Sequence, residues 1–176
     1  MLQIHDKTFD IFLTSEEIQT EIQSLATTIN SEYQGKDVVF VVILNGAFMF
    51  AADLMKHVSL PCEISFVKVS SYSGMNSTGR VDEVIGLNTS IKDRHVVIIE
   101  DIVDTGITIN KIMTLLTTEH PASIKIATLL YKPEAFIGKH RPDYVGFSIP
   151  NNFVVGYGLD YNEHGRNTQH IYQLKG

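Results

Sequence analysis

Apolar residues recur at Ile18, Ile22, Leu25 and Ile29, in steps of four, three and four. That spacing lays one stripe along a helix. Thr14 and Glu17 stand in the Thr-x-x-Glu spacing of a capping box at its start, and Gly35 is placed to end it. Residues 38–44 (VVFVVIL) form a continuous β-branched run of strand length, the pattern of a strand buried on both faces. Asn45-Gly46 breaks it, and 47–57 reads as a second helix. After Pro61, residues 62–70 read as a strand. A further buried strand is predicted at 95–99, a helix from about 109 to 119 ending before Pro121, and strands at 124–131 and 144–148.

A helix followed by repeated strand–helix units predicts an α/β fold, with a central, mostly parallel sheet flanked by helices and right-handed crossovers. We expect one domain over 1–176, with a core of about 14–148. The ends, 1–13 and 149–176, fit the repeat poorly and are expected to form a small hood. Residues 71–82 are rich in Ser, Gly, Asn and Thr. They predict a long surface loop, mobile when the site is empty, that can close over reacting groups.

Composition narrows the function classes. The chain has 176 residues and a net charge of −6, with its Lys and Arg scattered. A nucleic-acid partner is therefore not expected. The single cysteine, Cys62, excludes an internal disulfide and any multi-thiolate zinc site, and reads as a packing residue. No apolar run is long enough to span a bilayer, and MLQIHDKTFD lacks a signal pattern. A cytoplasmic protein without a membrane partner is expected.

The strongest chemical signal is VVIIEDIVDTGITI, residues 96–109. Four apolar strand residues lead into Glu100-Asp101, then Asp104, then Thr105-Gly106-Ile107-Thr108-Ile109 opening a helix. A helix N-terminus presents free N–H groups and the positive end of its dipole, which suits a phosphate. Gly106 permits close approach of the backbone, and the Thr hydroxyls add donors. Two adjacent carboxylates suit ribose hydroxyls or a magnesium ion. A plain helix N-cap at Asp104 or Thr105 is the alternative reading. Ile107, where a lysine would stand, excludes a Walker A loop, and the Gly-x-Gly-x-x-Gly spacing of a Rossmann loop is missing.

This segment closely resembles the phosphoribosyl-pyrophosphate signature of the type I phosphoribosyltransferases. LNGAFMFAADL (44–54), SSYSGMNSTG (70–79), YKPE (131–134) and RPDYVGFSIPNNFVVGYGLDYNEHGRN (141–167) resemble, in order, the pyrophosphate loop, catalytic loop, base-recognition segment and C-terminal segment of the hypoxanthine phosphoribosyltransferases. The resemblance runs from about residue 38 to 167. It implies the type I phosphoribosyltransferase fold. It also implies transfer of a phosphoribosyl group to hypoxanthine, and to guanine as a second base, giving IMP or GMP and pyrophosphate. A xanthine-preferring relative and a nucleotide-binding regulator without strong catalysis are the alternatives.

By that resemblance, Asp104 is the general base. Glu100 and Asp101 hold the ribose hydroxyls, and with Asp160 they serve Mg2+. Residues Asp104, Thr105, Gly106, Ile107, Thr108 and Ile109 hold the 5′-phosphate. Leu44, Asn45, Gly46, Ser71, Tyr72 and Arg166 hold pyrophosphate. Lys132, Phe153, Val154 and Asp160 hold the purine, with Lys132 donating to its six-oxo group and Phe153 stacking on the ring. Many relatives carry lysine where Asn45 stands, so this position is read for its backbone, which in the family can adopt a non-proline cis peptide. A homodimer or homotetramer is expected from the family, and Phe48, Met49, Phe50 and Leu54 give the helix after the loop more large side chains than one face hides. His164 and His170 could form a metal pair, but no other soft ligands accompany them.

Overall fold

The computed structural model describes residues 1–69 and 83–175. In chain order the elements are β1 (Leu2–Ile4), β2 (Lys7–Leu13), α1 (Ser15–Glu32), β3 (Val38–Ile43), α2 (Phe48–His57), β4 (Cys62–Val69), β5 (Glu83–Ile85), β6 (His95–Val103), α3 (Ile107–Thr117), β7 (Ser123–Tyr131), β8 (Tyr144–Ser148), β9 (Val154–Val155) and β10 (Ile171–Leu174). The expected α/β architecture is present. Ser71 and Tyr72, and the mobile loop expected around them, lie outside the described residues.

Helix α1 starts where its sequence requires. Glu17 N–H donates to Thr14 Oγ1, and the Glu17 carboxylate accepts from the Thr14 N–H at 2.8 Å, closing the capping box. Ile18, Ile22, Leu25 and Ile29 form its buried stripe.

Six strands form the main sheet in the order β5-β4-β3-β6-β7-β8, with the pairs from β4 to β8 parallel and β5 antiparallel at the edge. The sequence pattern did not reveal β5. Every residue of β3 is buried. Val38, Phe40 and Val42 face α1 and α2, while Val39, Val41 and Ile43 face α3. Truncating Phe40 would open a cavity between sheet and helices, at a cost of about 3–5 kcal/mol.

The topology selects where a ligand can enter. From β3 the chain moves to β4 on one side, and from β6 to β7 on the other. Strands β3 and β6 therefore flank the switch point, outside whose carboxyl ends open sheets bind ligands. Strand β6 is longer than predicted. It pairs with β3 only as far as Ile99, opposite Val42, but with β7 through Glu100, Ile102 and Val103. The acidic residues thus lie within a strand, not after one. Beyond Ile99 their β3 side is free, and that opens a slot.

The chain ends pair into a second sheet, in the order β1-β2-β10-β9. Ile4, Phe9 and Val155 form its buried centre. Val154 and Ile171 of this sheet pack into the main core, and Ser15 N–H donates to His170 Nδ1 at 2.9 Å. His164 instead meets His5, 3.1 Å away, so the two histidines do not form a pair.

Candidate active site

The slot at the switch point is a cavity of about 360 Å³. Ile43, Leu44 and Gly46 line one wall, and residues 100–109 with Lys111 line the rest. All eight residues predicted for the phosphoribosyl and 5′-phosphate site are therefore brought together: Glu100, Asp101, Asp104, Thr105, Gly106, Ile107, Thr108 and Ile109.

Helix α3 begins at Ile107, two residues earlier than predicted, with Gly106 as its N-cap. Gly106 has φ +82 and lends no side chain to the first turn. The N-cap reading of Asp104 or Thr105 is thereby corrected. The Thr105 hydroxyl accepts from Ile107 N–H at a long 3.4 Å. With glycine at the cap, no cap side chain takes up the first-turn N–H groups, and a helix start of that kind suits an anion.

Glu100 and Asp101 are 6% and 9% exposed. Burial pushes the Glu100 carboxyl well above its ordinary range, and the charge of Asp101 beside it acts in the same direction. Burial raises Asp101 too, against the opposing pull of hydrogen bonds and of Arg166. Burial penalises the charge on both neighbouring carboxyls, and a hard cation beside their oxygens would offset that penalty. Among the described residues, no cluster of three or more His, Cys, Asp or Glu side chains converges, so Asp160 does not complete a three-carboxylate set with them.

The wall formed by Leu44 and Gly46 is built from close backbone contacts. The Leu44–Asn45 peptide is cis. Leu44 N–H donates to Val67 O at 2.8 Å, tying the loop to β4. A Cβ on Gly46 would lie 1.8 Å from Asp101 Oδ2, so only glycine fits here. On the other side, a Cβ on Gly158 would lie 2.0 Å from Gly46 O. Tyr157 anchors this turn: its buried hydroxyl donates to Asp53 Oδ2 on α2 at 2.6 Å. Sequence reasoning missed the Tyr157–Asp53 pair, because residues 104 apart carry no local signal.

Of the other predicted residues that the structure describes, Asn45, Lys132, Phe153, Val154, Asp160 and Arg166 do not line this cavity. Lys132 is buried and donates to Asp104 Oδ2 at 3.2 Å. Phe153 is 45% exposed, held edge-on by Tyr161 at 5.9 Å between centroids. Val154 is buried. Arg166 pairs with Asp160 Oδ1 at 2.8 Å and Glu163 Oε2 at 3.0 Å, and donates to Gly158 O. Its fork is thus held inside the C-terminal turn. Lys111 was missed: it stands about one turn into α3 and adds a cation to the cavity wall. Cys62 is partly buried, and burial pushes its thiol up.

A parallel sheet carries an acidic strand end and a glycine-capped helix start at its switch point, and residues 10–162 match the model of the phosphoribosyl transferase domain, which places the chain in that class. The chain is 43% identical to the hypoxanthine-guanine phosphoribosyltransferase of Lactococcus lactis subsp. lactis (strain IL1403) over 94% of this chain and 90% of that one. It is 43% identical to the enzyme of the same name from Staphylococcus aureus (strain N315), over 98% and 97%. A crystal structure of a hypoxanthine phosphoribosyltransferase from Staphylococcus aureus superimposes with a TM-score of 0.90 at 43% identity, over 97% of this chain and 94% of that one. The chain belongs to the hypoxanthine-guanine phosphoribosyltransferase family. Among the described residues, no helix is long and apolar enough to cross a membrane.

Proposed function

We propose that this protein transfers the phosphoribosyl group of 5-phosphoribosyl 1-pyrophosphate to hypoxanthine or guanine, forming IMP or GMP and pyrophosphate. The observation that carries this reading is the one cavity that brings Glu100-Asp101, Asp104 and the glycine-capped start of α3 together with Gly46. In the reaction a purine ring nitrogen bonds to the ribose anomeric carbon as the bond from that carbon to pyrophosphate breaks. The proton lost from the imidazole ring goes to Asp104. General-base help of this kind contributes about 10²–10⁴-fold.

The other side chains bind and orient. The N–H groups of residues 105–109 and the Thr105 and Thr108 hydroxyls hold the 5′-phosphate, and Lys111 neutralises part of its charge. The Leu44–Gly46 backbone holds pyrophosphate, and Arg166 joins it by exchanging its contacts with Asp160 and Glu163 for the ligand. Lys132 donates to the six-oxo group, which favours oxopurines over adenine, since adenine presents an amine there. Phe153 offers its exposed face to the base, and Val154 its backbone. The terminal sheet serves as a hood over the base.

Mg2+ fits the Glu100–Asp101 pair, because magnesium is commonly held by one or two carboxylates together with substrate phosphates. It supplies neutralisation of charge on the departing pyrophosphate. By the same reading Asp160 acts on it through the departing pyrophosphate. The paired Lys132 and Asp104 are groups that an inert regulator would not need.

A homodimer or homotetramer is the expected assembly. Phe48, Ile64 and Phe66 are 43%, 40% and 40% exposed. Ile64 and Phe66 sit beside Phe40 and Val42 on the sheet face covered by α1 and α2, where that cover runs out. A cytoplasmic location accompanies this reading.

The test is Asp104→Asn, assayed with hypoxanthine, 5-phosphoribosyl 1-pyrophosphate and magnesium. A fall in kcat of about a hundredfold or more with retained IMP binding supports the assignment. Undiminished turnover would remove Asp104 from the mechanism.

A further inference from the structure

We infer that Phe136 is a positioning residue for the 5′-phosphate loop, acting through Gly106. This rests on the phosphoribosyl-transfer reading above and adds a residue to it.

Gly106 carries the whole turn into α3 in a left-handed conformation, φ +82, without a side-chain cap. Something outside the turn must hold it. The Phe136 ring is packed against it: a Cβ on Gly106 would lie 2.4 Å from Phe136 Cε2 and 3.2 Å from Gly138 Cα. A Cβ on Gly138 would in turn lie 2.9 Å from the same ring. The ring therefore packs against two glycines, one of the phosphate loop and one of the segment after β7. Tyr131 braces it edge-on at 5.6 Å and 71°.

The same segment is stitched to the loop on both sides of Gly106. Ile137 N–H donates to Thr105 O at 3.1 Å, and Lys139 N–H donates to Asn110 Oδ1 at 3.0 Å. Asn110 N–H donates to Gly106 O at 3.0 Å, closing the first helical turn. Residues 136–139 thus form a splint from Thr105 to Asn110, with the Phe136 ring as its wedge. Phe136 does not line the cavity. Its influence on substrate must therefore pass through the position of the loop N–H groups.

Ordinary core packing predicts a different outcome from positioning. Loss of packing alone lowers stability and leaves the folded fraction kinetically normal. Loss of positioning weakens every ligand that carries a 5′-phosphate and spares the free base. The experiment measures KM for 5-phosphoribosyl 1-pyrophosphate and for hypoxanthine, kcat, and the Kd of IMP by calorimetry, in wild type, Phe136→Leu and Phe136→Ala. The melting temperature is recorded beside them. The expected result is a rise in KM for the pyrophosphate substrate and in Kd for IMP of about tenfold in Phe136→Ala, since small misplacements of binding groups have effects of this size or larger. Phe136→Leu recovers part of the loss, and KM for hypoxanthine stays within about twofold. If Phe136→Ala does not fold, the leucine variant alone decides, with a smaller shift in the same direction.

Unchanged constants for both phosphate-bearing ligands in a folded variant would overturn the proposal. So would a parallel rise in KM for hypoxanthine. A wild-type protein without any turnover would instead overturn the transferase reading beneath it.

Discussion

Lys132 Nζ lies 3.2 Å from Asp104 Oδ2, so the residue assigned to the purine oxygen also holds the carboxylate assigned to the proton. The lysine side chain is 7% exposed and the aspartate 45%. A cation buried to that degree needs a counter-charge, and Asp104 supplies it. The two roles are therefore coupled through one contact. Lys132→Ala is expected to lower kcat/KM for hypoxanthine by about 10–150-fold, the worth of a charge-assisted hydrogen bond. KM for 5-phosphoribosyl 1-pyrophosphate should move far less. Steady-state kinetics with each substrate varied in turn checks this, and equal losses for both would argue against a base-specific role.

Gly46 leaves no space for a side chain. Gly46→Ala would drive a methyl group to 1.8 Å from Asp101 Oδ2. The loop or the carboxylate must shift. We expect a fold that is retained by circular dichroism and a fall in kcat/KM of about a hundredfold. Activity within a few-fold of wild type would show that the contact does not set the geometry of the site.

The buried carboxylates destabilise the protein that carries them. Glu100 has a folded pKa well above its unfolded value near 4.5. The folded protein therefore binds the extra proton between those two values. The penalty on the ionised form is absent below the unfolded value, grows as pH rises above it, and is complete once pH has passed the folded value. Glu100→Gln removes this penalty. Its melting temperature at pH 8 should exceed that of wild type. The difference should shrink toward pH 5. Magnesium-dependent binding of the substrate should weaken in the same variant. Thermal melts at the two pH values check the sign, and a lower melting temperature at pH 8 would contradict it.

Phe66 is 40% exposed on a face rich in apolar side chains. Phe66→Asp places a charge there without touching the cavity. Sedimentation velocity should show wild type as a dimer or tetramer and the variant as a smaller species. An unchanged mass in the variant would move the subunit contact elsewhere.

Much of the fold was legible because it is written in local patterns. Thr14 and Glu17 stand three apart and cap α1 as their spacing demands. The β-branched run of β3 is buried at every position. The site was legible where one segment carried it, and residues 100–109 all line the cavity. What escaped depends on partners far along the chain. The predicted strand at 95–99 continues to Val103 because β7 keeps pairing with it, and no property of Glu100 or Asp101 announces that. Helix α3 starts at Ile107 because Gly106 can adopt a left-handed turn, whereas the hydroxyl and carboxyl residues before it look like better caps. Tyr157 finds Asp53, and Phe136 finds Gly106, only after the sheet has been assembled.

The most direct measurement is nucleotide formation by the purified protein with 5-phosphoribosyl 1-pyrophosphate, magnesium and, separately, hypoxanthine, guanine, xanthine and adenine. The account predicts rapid formation of IMP and turnover of guanine, with no use of adenine, because Lys132 can donate to a six-oxo group and not to an amine. Turnover of adenine at a rate comparable to hypoxanthine, or none with any base, would contradict it.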